Sequence, residues 1–141
     1  MNVVDANVLL YAVNRDARHH QAAKKWLDAA LSGQATVGFS WIVLLAFLRL
    51  TTKVGLFPSP LEVPQALAIV DDWLAQPAAI VLEPTARHSH LLGELLRATG
   101  VGGNLTNHAH LAALALEHRG QIISFDNDFD RFPTVTWVQP G

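Results

Sequence analysis

The chain has 141 residues, half of them apolar and 16% charged, a balance that supports one folded domain over residues 1–141 and excludes a disordered chain. A formal net charge of -2 and a pI near 6.4 exclude a surface dedicated to coating polyanions, so any nucleic acid must meet a local basic cluster or a partner. The absence of cysteine removes disulfides, thiol catalysis and cysteine-based zinc sites together, and fits a reducing compartment.

Residues 1–5 read as a short buried strand, with β-branched Val3 and Val4 and an acid, Asp5, closing the run. That acid also interrupts any apolar leader, and the apolar stretch 39–50 is too short to span a bilayer and ends near Arg49. A soluble, cytoplasmic protein with no membrane segment is expected. Residues 7–13 carry apolar side chains at helical spacing, and 19–31 form an amphipathic helix with Ala22, Ala23, Trp26, Leu27 and Ala30 on one side. Arg15, Arg18, Lys24 and Lys25 read either as its solvated face or as a basic cluster. A second strand follows at 35–39, and Ser40 suits the N-cap of a mostly apolar helix over 41–52.

The Pro-rich stretch 55–64 reads as a loop within the domain, and helical spacing returns over 63–76, with Asp71 and Asp72 on the wet side. Residues 79–82 make a third strand and 85–99 another helix. Gly100, Gly102 and Gly103 turn the chain into a helix over 106–118, so rich in Ala and Leu that it must pack centrally. A fourth strand at 121–124 is followed by Asp126, Asp128 and Asp130, and a last strand lies at 134–138. Strands alternating with helices predict an α/β fold with a parallel sheet wrapped by helices.

Asp5 and Asp126 each follow a predicted central strand, and Asp128 and Asp130 trail the second. In a doubly wound sheet such strand ends converge on one crevice. Clustered carboxylates repel one another, and a hard dication, Mg²⁺ or Mn²⁺, relieves this while activating water toward a phosphodiester. The run 126–130 reads equally as an acidic turn. An acid at the end of an apolar strand, such as Asp5, is costly without a partner.

Other chemistries find less support. The seven histidines include no pair four apart on one helix face, so no ready-made zinc clasp is expected. The glycines at 100, 102 and 103 lead into no Gly-Lys-Ser/Thr, and no Gly-x-Ser-x-Gly elbow is present. A phosphoacceptor receiver would need adjacent acids near the first strand and a lysine after a late one, and has neither here. Arg49 suits pairing with a buried acid or contact with RNA, Asn104 suits helix capping or orientation of a site residue, and Trp41, Phe47 and Leu48 suit the core or an interface.

Asp5-Ala6-Asn7, Ser40-Trp41 through Phe47-Leu48-Arg49, Gly102-Gly103-Asn104-Leu105 leading into Ala109-His110-Leu111-Ala112-Ala113-Leu114-Ala115, and Ser124-Phe125-Asp126-Asn127-Asp128-Phe129 with Arg131-Phe132-Pro133 occur in that order. Together they resemble the signatures of PIN domains of the VapC ribonuclease toxin type. The resemblance implies a PIN-like α/β/α sandwich with a five-stranded parallel sheet flanked by helices. It also implies a Mg²⁺- or Mn²⁺-dependent endoribonuclease, a VapB-like antitoxin that neutralises it, an RNA substrate and a homodimer. By carry-over Asp5, Asp126 and Asp128 are catalytic and metal-binding. Two positions depart from the family pattern: Ala46 stands where many PIN domains have Glu, and His108 where an Asp metal ligand is usual. Imidazole in that seat favours Mn²⁺ or Zn²⁺ over Mg²⁺, and when protonated it repels the metal. An alternative is therefore a PIN-fold protein that binds antitoxin or RNA with an impaired site.

Overall fold

The computed structural model describes Met1–Gly141 and opens with β1 (Asn2–Val4), whose Val3 and Val4 are completely buried. Asp5 ends the strand and caps α1 (Ala6–Val13), its carboxylate accepting the Ala6 N–H at 2.7 Å. The next helix, α2 (His20–Leu31), packs on α1 and buries Ala23 and Leu27. On its wet face Lys24 pairs with Asp28 one turn on, at 2.6 Å. An exposed pair of this kind contributes only ~0.3–0.5 kcal/mol. Part of the basic run is thus a solvated helix face.

After β2 (Val37–Phe39), Ser40 caps α3 (Trp41–Thr52) by accepting the Val43 N–H at 3.4 Å. The Pro-rich segment gives way to α4 (Val63–Leu74), started by a reciprocal cap between Glu62 and Gln65 with Pro64 in the first turn. Helix α4 ends two residues before the expected 76. Beyond β3 (Ala79–Val81), α5 (His88–Thr99) begins three residues later than the 85 that periodicity suggests. Thr85 is held outside the helix, with its N–H and hydroxyl turned to Glu117 at 2.9 and 2.6 Å. Gly100 closes α5 at φ +67°, a conformation that a side chain would strain.

Helix α6 (Leu105–Glu117) buries Ala109 and every residue from Leu111 to Ala115, as expected of a central helix. β4 (Gln121–Ile123) follows, then a 3₁₀ turn (Asn127–Arg131) and β5 (Trp137–Val138). The last strand is shorter than 134–138 because the Val135 N–H is taken by Phe132 in a turn at 2.9 Å.

The five strands pair in parallel in the order β3-β2-β1-β4-β5. From β1 the chain steps outward to β2 and β3, then returns to place β4 on the other side of β1. Connections therefore diverge at the carboxyl ends of β1 and β4, where open α/β sheets bind ligands. Gly38 in β2 lets Leu82 sit against the sheet: a Cβ there would lie 2.6 Å from the Leu82 side chain. No helix is long and apolar enough to cross a membrane.

Candidate active site at the switch point

The buried hydroxyl of Ser124, just past β4, organises the crevice. It donates to Asp5 Oδ2 at 2.7 Å and accepts the Asp126 N–H at 2.9 Å and the Asn7 side-chain amide at 3.1 Å. Asn7 in turn accepts the Phe125 N–H at 3.1 Å. The end of β1 is thereby tied to the end of β4 by side chains, beyond the last sheet hydrogen bonds. Burial pushes the Asp5 carboxyl above the usual aspartate range, against the opposing hydrogen bonds of Ser124 and Ala6 and the pull of His108, and the charge of Asp126 pushes the same way. A carboxylate that is costly to ionise in its surroundings is one that a cation stabilises.

Asp126 caps the 3₁₀ turn through Oδ1, which accepts the Asp128 N–H at 2.9 Å. Its Oδ2 faces His108 Nε2 at 2.7 Å, while His108 Nδ1 meets the Asn104 carbonyl at 3.2 Å. Both ring nitrogens face acceptors, which only the imidazolium satisfies by donating twice. Burial opposes that charge, but the hydrogen bonds to Asp126 and Asn104 and the charges of Asp126 and Asp5 outweigh it and raise the His108 pKa. Asn104 thus acts through its carbonyl, and its side chain makes no capping bond.

Donor atoms of His108, Asp126 and Asp128 all lie within 4.8 Å of one another. Asp5 stands outside that tightest group, joined to it through Ser124, and shares a cleft of about 170 Å³ with His108, Asn107 and Ala46. All four expected site residues are brought to one edge, and Ala46 faces the same space. Asp130 is turned away, accepting the Trp137 indole N–H at 2.8 Å. Arg49 makes no ion pair and lines an adjoining groove of about 390 Å³ with Ile42, Leu45, Ala46 and Asn107. Phe47 is core, whereas Trp41 is 45% exposed and Leu45 59%.

Sequence reasoning assigned no role to Asn7 and Ser124. Their signal was the two-residue spacings Asp5-x-Asn7 and Ser124-x-Asp126, which set a small polar residue beside each acid. Nor did spacing along one helix reveal that His88 and His110, on α5 and α6, meet at 2.9 Å.

The chain matches the PIN domain family over residues 3–135. It is 57% identical over 140 residues to ribonuclease VapC37 of Mycobacterium tuberculosis (strain ATCC 25618 / H37Rv), covering 99% of this chain and 97% of that protein. It is 34% identical to ribonuclease VapC33 of M. tuberculosis (strain CDC 1551 / Oshkosh), covering 99% and 98%. The fold is shared with a chain of VapBC2 from Rickettsia felis bound to a promoter DNA fragment, at a TM-score of 0.73, 20% identity and coverage of 99% and 98%. It is shared too with M. tuberculosis VapC20, a sarcin-ricin loop cleaving toxin, at 0.71, 21% identity and coverage of 99% and 100%. A family match running from β1 to the turn before β5, joined to a full-length relative at 57% identity, places this chain in the PIN-domain family among the VapC ribonuclease toxins of toxin–antitoxin systems.

Proposed function

We propose that this VapC-type ribonuclease hydrolyses RNA phosphodiesters internally, using Mg²⁺ or Mn²⁺ held by Asp5, Asp126 and Asp128, with His108 in the seat of a usual aspartate. The observation that carries this reading is the convergence of these four side chains at the β1/β4 edge. The donor set suits such a cation: carboxylate oxygens, with one imidazole that, once it gives up the proton it shares with Asp126, biases the site from Mg²⁺ toward Mn²⁺. When bound, the dication supplies charge neutralisation at the phosphate and a more acidic water. The chain's own residues do the placing. Ser124 fixes Asp5 and the Asp126 backbone, and Asp126 fixes the turn that carries Asp128. Arg49, exposed and unpaired, is positioned to meet a phosphate along the groove.

Solved relatives named as VapBC complexes support a VapB-like antitoxin as partner, and the exposed Trp41 and Leu45 on α3 offer apolar surface beside the groove for it or for a homodimer contact. An RNA target supports action in the cytoplasm.

A second reading has its own observation. The His108–Asp126 pair engages a ligand oxygen at 2.7 Å, and Ala46 brings no carboxylate from α3. On this reading the protein binds its antitoxin with catalysis impaired. Cleavage of RNA by antitoxin-free protein across Mg²⁺ and Mn²⁺ concentrations decides between them, with Asp5→Asn as control. Metal-dependent cleavage abolished by the control supports the nuclease. No cleavage by folded wild type, restored by His108→Asp, supports the impaired site.

A further inference from the structure

Two residues beyond His108, His110 leaves α6 from a different face and meets His88 of α5. His88 Nε2 and His110 Nδ1 are 2.9 Å apart, and on the other side of the His88 ring Nδ1 lies 2.7 Å from Glu117 Oε2. The Glu117 side chain is completely shielded from solvent and that of His88 is 12% exposed. Thr85 occupies the other Glu117 oxygen through its N–H and its hydroxyl. Nothing in the ribonuclease site uses this cluster.

We propose that His88 and His110 form a second metal site, selective for a nitrogen-preferring transition dication such as Ni²⁺ or Zn²⁺, which clasps α5 to α6. A carboxylate that accepts the outer N–H of a ligating imidazole fixes its tautomer and strengthens it as a ligand. Glu117 does this for His88: it accepts the Nδ1–H hydrogen bond, which leaves the lone pair on Nε2, directed at His110. Burial disfavours the Glu117 charge, but the hydrogen bonds from Thr85 and His88 outweigh it and keep the group ionised. The contact between the two rings is a hydrogen bond, which needs a bare nitrogen on one of them. Neutral imidazole is the ligating form.

The spacing fits. Two nitrogens at ~2.0–2.1 Å from one ion stand ~2.9 Å apart at a right angle and ~3.3 Å apart at the tetrahedral angle. Without metal, a proton on His110 Nδ1 bridges the pair. With metal the rings turn off their common line, His110 keeps its proton on the other nitrogen, and water completes the coordination. A pair of ring nitrogens suits a transition dication better than Mg²⁺, which prefers oxygen, and this separates the site from the acidic one.

The test uses untagged full-length protein carrying Asp126→Asn and Asp128→Asn, so that the acidic site is silenced, titrated with Ni²⁺ and with Zn²⁺ by calorimetry. One equivalent is expected to bind, to disappear in His88→Gln and in His110→Gln, and to have no Mg²⁺ counterpart. Ring ¹H–¹⁵N spectra of the wild-type protein give a second readout independent of variant folding: substoichiometric Ni²⁺ broadens the His88 and His110 signals before those of His90 and His118. Absence of the equivalent, its survival in both histidine variants, or broadening that spares His88 and His110 overturns the proposal.

Discussion

Ser124 shows how one small side chain sets the geometry of a charged site. Its hydroxyl serves three partners from a buried position, so Ser124→Ala leaves the Asp126 N–H and the Asn7 amide short of an acceptor. Buried groups left unpaired cost about 1–3 kcal/mol, and chemical denaturation is expected to register a loss of that order. Cleavage is expected to fall further than stability alone explains, since the Asp5 and Asp126 segments lose their common tether. A control lies four residues from Asp126: Asp130→Asn keeps an acceptor for Trp137 and is expected to leave cleavage at the wild-type rate, whereas Asp126→Asn abolishes it. Equal loss in both variants would refute the division of labour within the acidic turn. The acids were legible in the sequence because ionisable groups at the ends of apolar strands require an explanation. Asn7 and Ser124 were not, since a small polar residue beside a helix start or turn is ordinary capping chemistry.

At the scale of elements, strand and helix identities followed from β-branched runs and helical periods, while boundaries moved where contacts outside the local pattern captured the backbone. Thr85 is the clearest example, because its N–H belongs to Glu117, a residue 32 positions away that no local pattern could supply. The same glutamate makes the α5–α6 contact sensitive to acid. Its folded pKa lies below the ordinary value, so its contribution to stability is complete above the unfolded pKa, ~4.3, and is lost as pH falls through the folded value. Among the groups facing it, His110 has a lowered pKa, which adds a loss of stability beginning nearer ~6.5, the unfolded histidine value. Glu117→Gln is therefore expected to be less stable than wild type at neutral pH and to converge with it as pH drops below 4. Parallel stability curves from pH 7 to 3 would show that Glu117 carries no such linkage. Gly38 sets a steric limit within the sheet: Gly38→Val drives its side chain into Leu82 and is expected to cost about 1–3 kcal/mol, the usual range for overpacking a core.

Over the whole molecule, the reversal of strand order between β1 and β4 joins folding to the proposed metal binding. Asp5 follows the first strand and Asp126 the fourth, so the acidic cluster exists only when the two ends of the chain have been laid side by side. The alternation of strands and helices predicted a parallel sheet and, from the way doubly wound sheets gather their strand ends, the convergence of these acids, but strand order is a long-range property that no local pattern carries. A ligand that binds the folded state alone stabilises it by ~2.7 kcal/mol at a hundredfold excess over its Kd. For a domain of this size, 1 kcal/mol moves Tm by roughly 2–8 °C. Mn²⁺ is therefore expected to raise the wild-type Tm by several degrees, and Mg²⁺ by less at equal concentration, because His108 replaces an oxygen donor with nitrogen. His108→Asp should reverse that order, and Asp126→Asn should remove the response to both ions. A Tm that responds equally in wild type and Asp126→Asn would place the ion elsewhere on the surface and would separate the acidic cluster from any role in holding it.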